Sequence, residues 1–377
     1  MKVCAPSLYN SHRFFGRVVA SDSGMAVVVA LAVVVILVTA ALELHLNQRA
    51  NLLNAAAMRD RQTLHQMATS GVHLGMAVLI KDRIESQADS LQEDWADEDT
   101  MATLVEQIPF DQGSLTVKII DELGKIQINA LVQYPEGVTF NVKQKTHIWD
   151  RFAEDMVTVI DLLNLSGADL EKTDPDMIID SIKDWLDSDE EIITGLNGAE
   201  SDYYEELDPP YACKNGPFDH LSEVRLVRGI TPQIFNGFGG AAGLRQYITV
   251  YGEIETQDQG FSFPGKININ TAELPVLSVL LPSESEDIAE RLIEHREAVS
   301  GTRYTNDLTN KSWYRNIPGA ADITIDPALF SVSSYLFRIV ATARLNDAKS
   351  VATAVVRRER QSNTTPWRCK VLSWKAE

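Results

Sequence analysis

The chain has 377 residues and a net charge of −19, with 34 basic against 53 acidic side chains. At 45% hydrophobic and 23% charged it can bury a substantial core and has room for two domains or more. A surface of this sign repels nucleic acid and anionic lipid, and attracts cations or basic partners.

The arm at the start carries Lys2, Arg13 and Arg17 against Asp22. From Met25 to Leu42 every side chain is apolar except Thr39, and Glu43 ends the run. A helix of that length is about 27 Å long, close to the ~30 Å hydrocarbon core of a bilayer. The positive flank should stay cytoplasmic, which places the bulk of the chain on the far side. A cleaved secretory signal would need a shorter apolar core and a small-x-small site, which Val38-Thr39-Ala40 matches poorly. A plain signal anchor explains the length but not Ser23-Gly24-Met25. Gly24 directly before an apolar helix resembles the leader of the type IV pilin and pseudopilin class. That resemblance implies cleavage between Gly24 and Met25 by a prepilin peptidase, and methylation of the new terminus. Loss of the arm removes three cations and one acid, taking the net charge from −19 to −21. Most members of the class carry Glu five residues into the mature helix; here that place is Val29. A subunit without it still offers an amine to the next one, which fits a tip position.

From Leu44 to about residue 88, apolar residues recur at threes and fours (Leu64, Met67, Ala68, Val72 and Met76 among them) with no proline. The membrane helix is expected to continue as a stalk, weakened slightly by Gly71 and Gly75. Leu115–Ile120 reads as a strand. Asp121–Gly124 turns, and Lys125–Ala130 reads as its hairpin partner. Residues 148–235 are mostly helical in pattern, with apolar faces at Phe152–Leu163 and Asp176–Leu186 and a short helix at Leu221–Val227. Tyr247–Tyr251 and Gly265–Asn270 read as strands, Thr271–Leu281 and Glu286–Val299 as helices. Leu336–Arg344 and Ser350–Arg357 alternate strongly and predict a hairpin turning at Asn346-Asp347; Trp367–Trp374 adds an edge strand. Gly124-Lys-Ile-Gln-Ile-Asn-Ala130 is echoed by Gly265-Lys-Ile-Asn-Ile-Asn-Thr-Ala272. The expected architecture is α+β: an N-terminal transmembrane and stalk helix, then an antiparallel sheet domain from 89–134 and 245–377, interrupted by a mostly α-helical insertion at 135–244.

Asp184–Asp208 holds ten acids and no Lys or Arg. Asp187 and Asp189 stand like the start of a calcium loop, Gly195 and Gly198 permit sharp turns, and Glu200 supplies a later carboxylate. The EF-hand spacing is absent, and a solvated acidic loop is the alternative. Trp185, Tyr203, Tyr204 and Tyr211 suggest a packed loop, and packed carboxylates need a counter-charge. Of the three cysteines, Cys4 lies in the arm. Cys213 and Cys369 remain, either as a disulfide tying the tail to the middle of the chain or as two free thiols.

Asp184-Trp-Leu-Asp-Ser-Asp, Gly-Ala-Glu200, Tyr203-Tyr204, Pro209-Pro-Tyr211, Asn215-x-Pro-Phe218, Ser222-Glu-Val-Arg-Leu-Val-Arg-Gly229 and Lys266-Ile-Asn-Ile-Asn-Thr-Ala272 together resemble the K-type minor pseudopilins of type II secretion. With the leader, the resemblance covers nearly the whole mature chain. It implies a pilin-like α+β domain carrying an inserted helical lobe that binds calcium. Carried onto this sequence, the ligands are Asp187, Asp189 and Glu200, with Asp184, Asp202 and Asn215 as further candidates. It also implies I- and J-type minor pseudopilins as partners within the pseudopilus, an inner-membrane anchor, and a periplasmic domain in a Gram-negative bacterium. Two other classes fare worse. Asn268–Arg296 resembles a helix-hairpin-helix module, but its connection Pro282-Ser-Glu-Ser-Glu-Asp287 is acidic, lacks glycine and would repel phosphate. No His pair, Gly-x-Ser-x-Gly or phosphate-cradling loop points to an enzyme, and no catalysis is expected.

Overall fold

The computed structural model describes residues 22–132, 156, 159–161, 163–170, 173–192, 197–257, 260–282, 285–301, 303–362 and 364–377. The expected leader up to residue 21, Phe152 and Gly195 lie outside the described residues, as does most of the helix expected around Phe152. The chain divides into two compact units, residues 1–62 and 63–377.

The first unit is helical from Asp22, within a continuous helix α1 (Asp22–Glu85). Its apolar window has a mean hydropathy of 3.1 and is wholly unburied, which makes α1 the one helix among the described residues long and apolar enough to cross a membrane.

In the second unit the rest of α1 lies on a four-stranded antiparallel sheet. The strands are β1 (Ser114–Asp121), β6 (Leu336–Leu345), β7 (Ala348–Glu359) and β8 (Arg368–Ala376), in that spatial order. Strand alternation sends Leu115, Val117, Ile119, Phe337, Ile339, Ala341, Ala352, Ala354 and Val356 to one face, where Leu64, Met67, Ala68, Val72 and Leu79 of α1 meet them. Gly71 and Gly75 do more than weaken the helix. A Cβ at either would stand 2.8 Å from Ala341 Cβ or Ile339 Cγ2, so their bareness lets helix and sheet approach. Helix α2 (Glu98–Glu106), N-capped by Asp97, covers the β1 side through Met101 and Val105.

The expected hairpin after β1 does not form. β1 pairs instead with β6, more than 200 residues on, with Ile119 opposite Ile339. Residues 126–130 are buried on both sides, so they cannot form a strand with one wet face. Only β2 (Ile126–Gln127) is extended, and it runs parallel to β3 (Ile248–Thr249). The echo of this segment behaves alike: β4 (Ile267–Asn268) runs parallel to β5 (Phe330–Ser331). The two copies clasp each other. A Cβ on Gly124 would stand 2.6 Å from Thr271 Oγ1, and one on Gly265 2.4 Å from Ala130 Cβ. The first residue of each copy therefore sits against the seventh of the other.

The boundary of the insertion is also corrected. Residues 245–335, expected in the sheet domain, pack into the lobe: one continuous core runs from Ile126 to Val332, while the sheet core holds Leu64–Ile119 and Phe337–Val356. Tertiary pairing of β2 with β3 and β4 with β5 encloses both helical segments in that lobe.

Candidate metal centre

Helix α3 (Pro175–Leu186) begins at Asp174, whose side chain accepts from Asp176 N, and Pro175 fits the first helical position. Its apolar face is Ile178, Ile179, Ile182, Trp185 and Leu186. Asp184 and Asp187 are three residues apart at its C-terminal end, and thus on one side of the helix. Asp187 is the C-cap, its N–H donating to Lys183 O. Glu200 is the N-cap residue of a short helix, α4 (Ser201–Glu205), yet its side chain makes no capping bond. It turns instead toward α3. Carboxylate oxygens of Asp184, Asp187 and Glu200 lie within 4.8 Å of one another, in residues only 0%, 1% and 4% exposed.

The surroundings are closed and aromatic. Trp185 meets Tyr204 edge-on at 5.1 Å and stacks on Phe218 at 6.2 Å. Gly198 is required here: a Cβ would fall 1.6 Å from Asp184 Oδ2. Arg228 holds that backbone, donating to Gly198 O at 2.9 Å while lying over the Tyr203 ring. Among the described residues, neither oxygen of Glu200 accepts from an N–H or O–H group. The Cys213 thiol is only a weak donor beside it. Burial first, then the neighbouring charges of Asp184 and Glu190, push the Glu200 carboxyl up to about 8. Asn215, at φ +49, donates from Nδ2 to Asp189 O and Glu190 Oε1, while its buried Oδ1 has no partner among the described residues.

The three buried carboxylates form an all-oxygen donor set suited to a hard divalent cation such as calcium. Burial pushes the Cys213 thiol beside the group up to about 12, which keeps it neutral in the metal-free protein. Asp189 and Asp202, expected as ligands, are exposed and stand outside the group. Asp189 is held in its own turn, its Oδ1 accepting from Glu191 N at 2.7 Å. Asp202 lies on the solvent side of α4, two residues before the inward-facing Tyr204. Of the two alternatives for the cysteines, the structure has the free thiols. Cys213 sits in the lobe core and Cys369 against the sheet core, both as free thiols.

Sequence reasoning missed a second carboxylate group, Asp82, Asp89 and Glu93. Here the cation is built in. Arg358, 1% exposed in its side chain, donates to Asp82 Oδ2 at 2.8 Å, to Asp89 Oδ1 and to Leu79 O. The signal was available: Arg358 follows Val356 at the inward positions of an otherwise apolar strand. Around it, Asp121 accepts from Asn268, Thr271 and Ser334, so that this network joins the stem, the sheet and the lobe. The contrast separates the two groups: one carries its own guanidinium, and the Glu200 carboxylate has no such partner.

Comparison with known proteins places the chain. Residues 124–253 and 267–326 match two family models, each described as type II secretion system (T2SS), protein K, and together they span about half of the chain. These segments begin at or beside the two echoed strands. A type II secretion system protein K of Pseudomonas aeruginosa is 24% identical over 348 residues, 89% of each chain. One from Aeromonas hydrophila is 26% identical over 216 residues, 57% of this chain and 61% of that relative. One from Pectobacterium carotovorum is 30% identical over 130 residues, 34% and 36% of the two chains. The fold is similar to a chain in the crystal structure of the GspK-GspI-GspJ complex from enterotoxigenic Escherichia coli, with a TM-score of 0.57 at 17% identity, covering 86% of this chain and 99% of that one. With its stem helix, antiparallel sheet and twice-matched helical lobe, the chain belongs to the type II secretion system protein K family.

Proposed function

We propose that this chain is the minor pseudopilin at the tip of a type II secretion pseudopilus, helping to initiate its assembly and the export of folded proteins across the outer membrane. The observation that carries the reading is the coincidence of the two family matches with the lobe that interrupts a helix-on-sheet body. In this reading the leader is removed after Gly24 by the prepilin peptidase, and Met25 becomes the methylated terminus. The apolar start of α1 anchors the subunit in the inner membrane, with the sheet and lobe in the periplasm. Val29 leaves no carboxylate for the amine of a subunit above, which suits the end of a filament. The I- and J-type minor pseudopilins are its partners. That assignment is supported by the composition of the GspK-GspI-GspJ complex to which the fold is similar.

The role is structural. Calcium would be held by the carboxylates of Asp184, Asp187 and Glu200 with Asn215 Oδ1, and would supply the positive charge that these buried groups need. The chain's own contribution is to bring the end of α3 and the start of α4 together, with Gly198 giving Asp184 its space. Replacement of Gly24 by a bulky residue tests the functional reading. A pseudopilin would keep its leader and lose secretion. Normal secretion from an unprocessed chain would instead indicate a calcium-stabilised periplasmic protein on a plain membrane anchor.

A further inference from the structure

Two crossings of the chain join the lobe to the helix-on-sheet body. The chain leaves the sheet core after Ile119 and enters the lobe core at Ile126; it leaves the lobe at Val332 and re-enters the sheet core at Phe337. Both crossings run over one cluster of carboxylates. On the way out, Asp121 Oδ1 accepts from Leu123 N at 2.8 Å, and Glu122 N donates across to Leu336 O at 3.0 Å. On the way back, Ser334 N donates to Asp89 Oδ2 at 2.8 Å, while Asp89 N donates to Val332 O at 3.0 Å. From the lobe, Asn268 Nδ2 donates to both Asp89 O and Asp121 Oδ2, and Thr271 Oγ1 to Asp121 Oδ2 at 2.6 Å. These bonds fasten lobe to body through Asp89 and Asp121.

The cluster holds more acid than base. Carboxylate oxygens of Asp82, Asp89 and Glu93 lie within 4.8 Å of one another. Asn268 and Ser334 each bond to both Asp89 and Asp121, which brings a fourth acid beside them. Arg358 reaches Asp82 and Asp89. Arg83 of α1 donates to Gln87 O at 2.6 Å and shares the Trp367 ring with Arg360 at the rim. Lys125 and Arg338 are held by the buried Glu122, and Lys81 by Glu85 and Asp94 at the surface. The Cys369 thiol, pushed up to about 11 by burial, is neutral. Four acids thus face the guanidiniums of Arg358 and Arg83. Asp89 and Asp121 are buried, so water does little to screen the surplus charge, and the cluster relieves it by holding protons. Burial first, then the charges of Glu93 and Asp89, push the Asp82 carboxyl up to about 7. Burial pushes Asp121 up to about 6 and raises Glu93 as well.

We propose that this cluster is a proton-dependent clamp on the hinge of the lobe: protonated, it holds the lobe against the body, and ionised, it lets the lobe swing. The folded-state values of Asp82 and Asp121 lie above the ordinary 3.8, so their stabilising share is full below pH 3.8 and is lost as pH rises through 6 and 7. The clamp is therefore tight in mild acid and slackens between pH 6 and pH 8. One proton released through a folded value of about 7 makes opening about tenfold easier over that span. The protons are shared, so the titration belongs to the cluster rather than to one residue. The device does not depend on which partners the lobe meets.

Amide hydrogen exchange on the full chain in detergent tests the clamp, with saturating calcium throughout and rates corrected for their intrinsic dependence on pH. The amides to read are Asp89, Glu122 and Ser334, with those of β6 and β7 as the internal reference. Protection at the hinge should fall about tenfold from pH 6 to pH 8 while the β6 and β7 amides keep theirs. Asp82→Asn removes one titrating acid at nearly constant volume and leaves an acceptor for Arg358, so protection at pH 8 should stay near its pH 6 level. Glu93→Gln, at a half-buried position, should shrink the fall in part. Equal wild-type protection at the two pH values would overturn the clamp. So would a fall shared equally by β6 and β7, which marks loss of the whole fold, or a folded Asp82→Asn protein that keeps the full change. If Asp82→Asn does not fold, Glu93→Gln decides, and an undiminished fall in that variant overturns the proposal.

Discussion

Removing calcium should destabilise the lobe, and Glu200→Gln should abolish the response. The substitution keeps the volume of the side chain and deletes one of three buried carboxylates. An ion that binds only the folded state at a hundred times its dissociation constant stabilises by about 2.7 kcal/mol. For a unit of this size each kcal/mol moves the midpoint by about 2–4 °C, so saturating calcium should raise it by roughly 5–10 °C. The pH dependence has a definite sign. Without metal the folded-state value of Glu200, about 8, lies above its ordinary 4.5, so the folded protein holds a proton that the unfolded chain releases. That contribution is full below pH 4.5 and is lost as pH rises through 8. Metal binding requires the ionised form, so calcium affinity should rise with pH by up to about tenfold per unit until pH 8. Thermal unfolding of the full chain in detergent, with calcium and then with chelator, at pH 6 and pH 8, reads all of this. A wild-type midpoint indifferent to calcium, or a Glu200→Gln midpoint that still rises as the wild type does, would refute a structural ion at this site.

Three further outcomes are expected. Gly198→Ala places a methyl 1.6 Å from Asp184 Oδ2, so it should lower the metal-free midpoint and also shrink the calcium-dependent rise. Arg358→Met leaves Asp82 and Asp89 buried without their cation; chemical denaturation should show a loss of about 3–5 kcal/mol at pH 7. The Asp82 carboxyl is already pushed up to about 7 by burial and by its Glu93 and Asp89 neighbours, so the variant should be more stable at pH 5 than at pH 8. Cys213, with its thiol pushed up to about 12, should resist alkylation at pH 8 in the folded protein and react when chelator loosens the lobe; equal rates in both states would contradict the packed site.

Much of the site was legible because its residues are near one another in the chain. Asp184 and Asp187 sit one helical turn apart, and the acid-rich stretch with Trp185 and Tyr204 already implied packed carboxylates. Which acids turn inward was not legible. Asp189 and Glu200 read alike in sequence, but α3 ends at Asp187 and sends Asp189 out, whereas the start of α4 folds Glu200 back. Cys213 and Cys369 likewise offered a pair by number, and only their separate cores forbid it.

The same division runs through the fold. The apolar run, the stalk and the alternation of Leu336–Arg344 and Ser350–Arg357 are local periodicities, so the sequence by itself determined a membrane-length helix, a stem and a final hairpin. Tertiary structure decided the partner of β1, the extent of the lobe, the clasp of the two Gly-Lys-Ile copies, and the place of Arg358 between Asp82 and Asp89. Periodicity records which face of an element is apolar. It carries no record of which distant surface covers that face, because this depends on burying all such faces at once while every enclosed charge finds a partner.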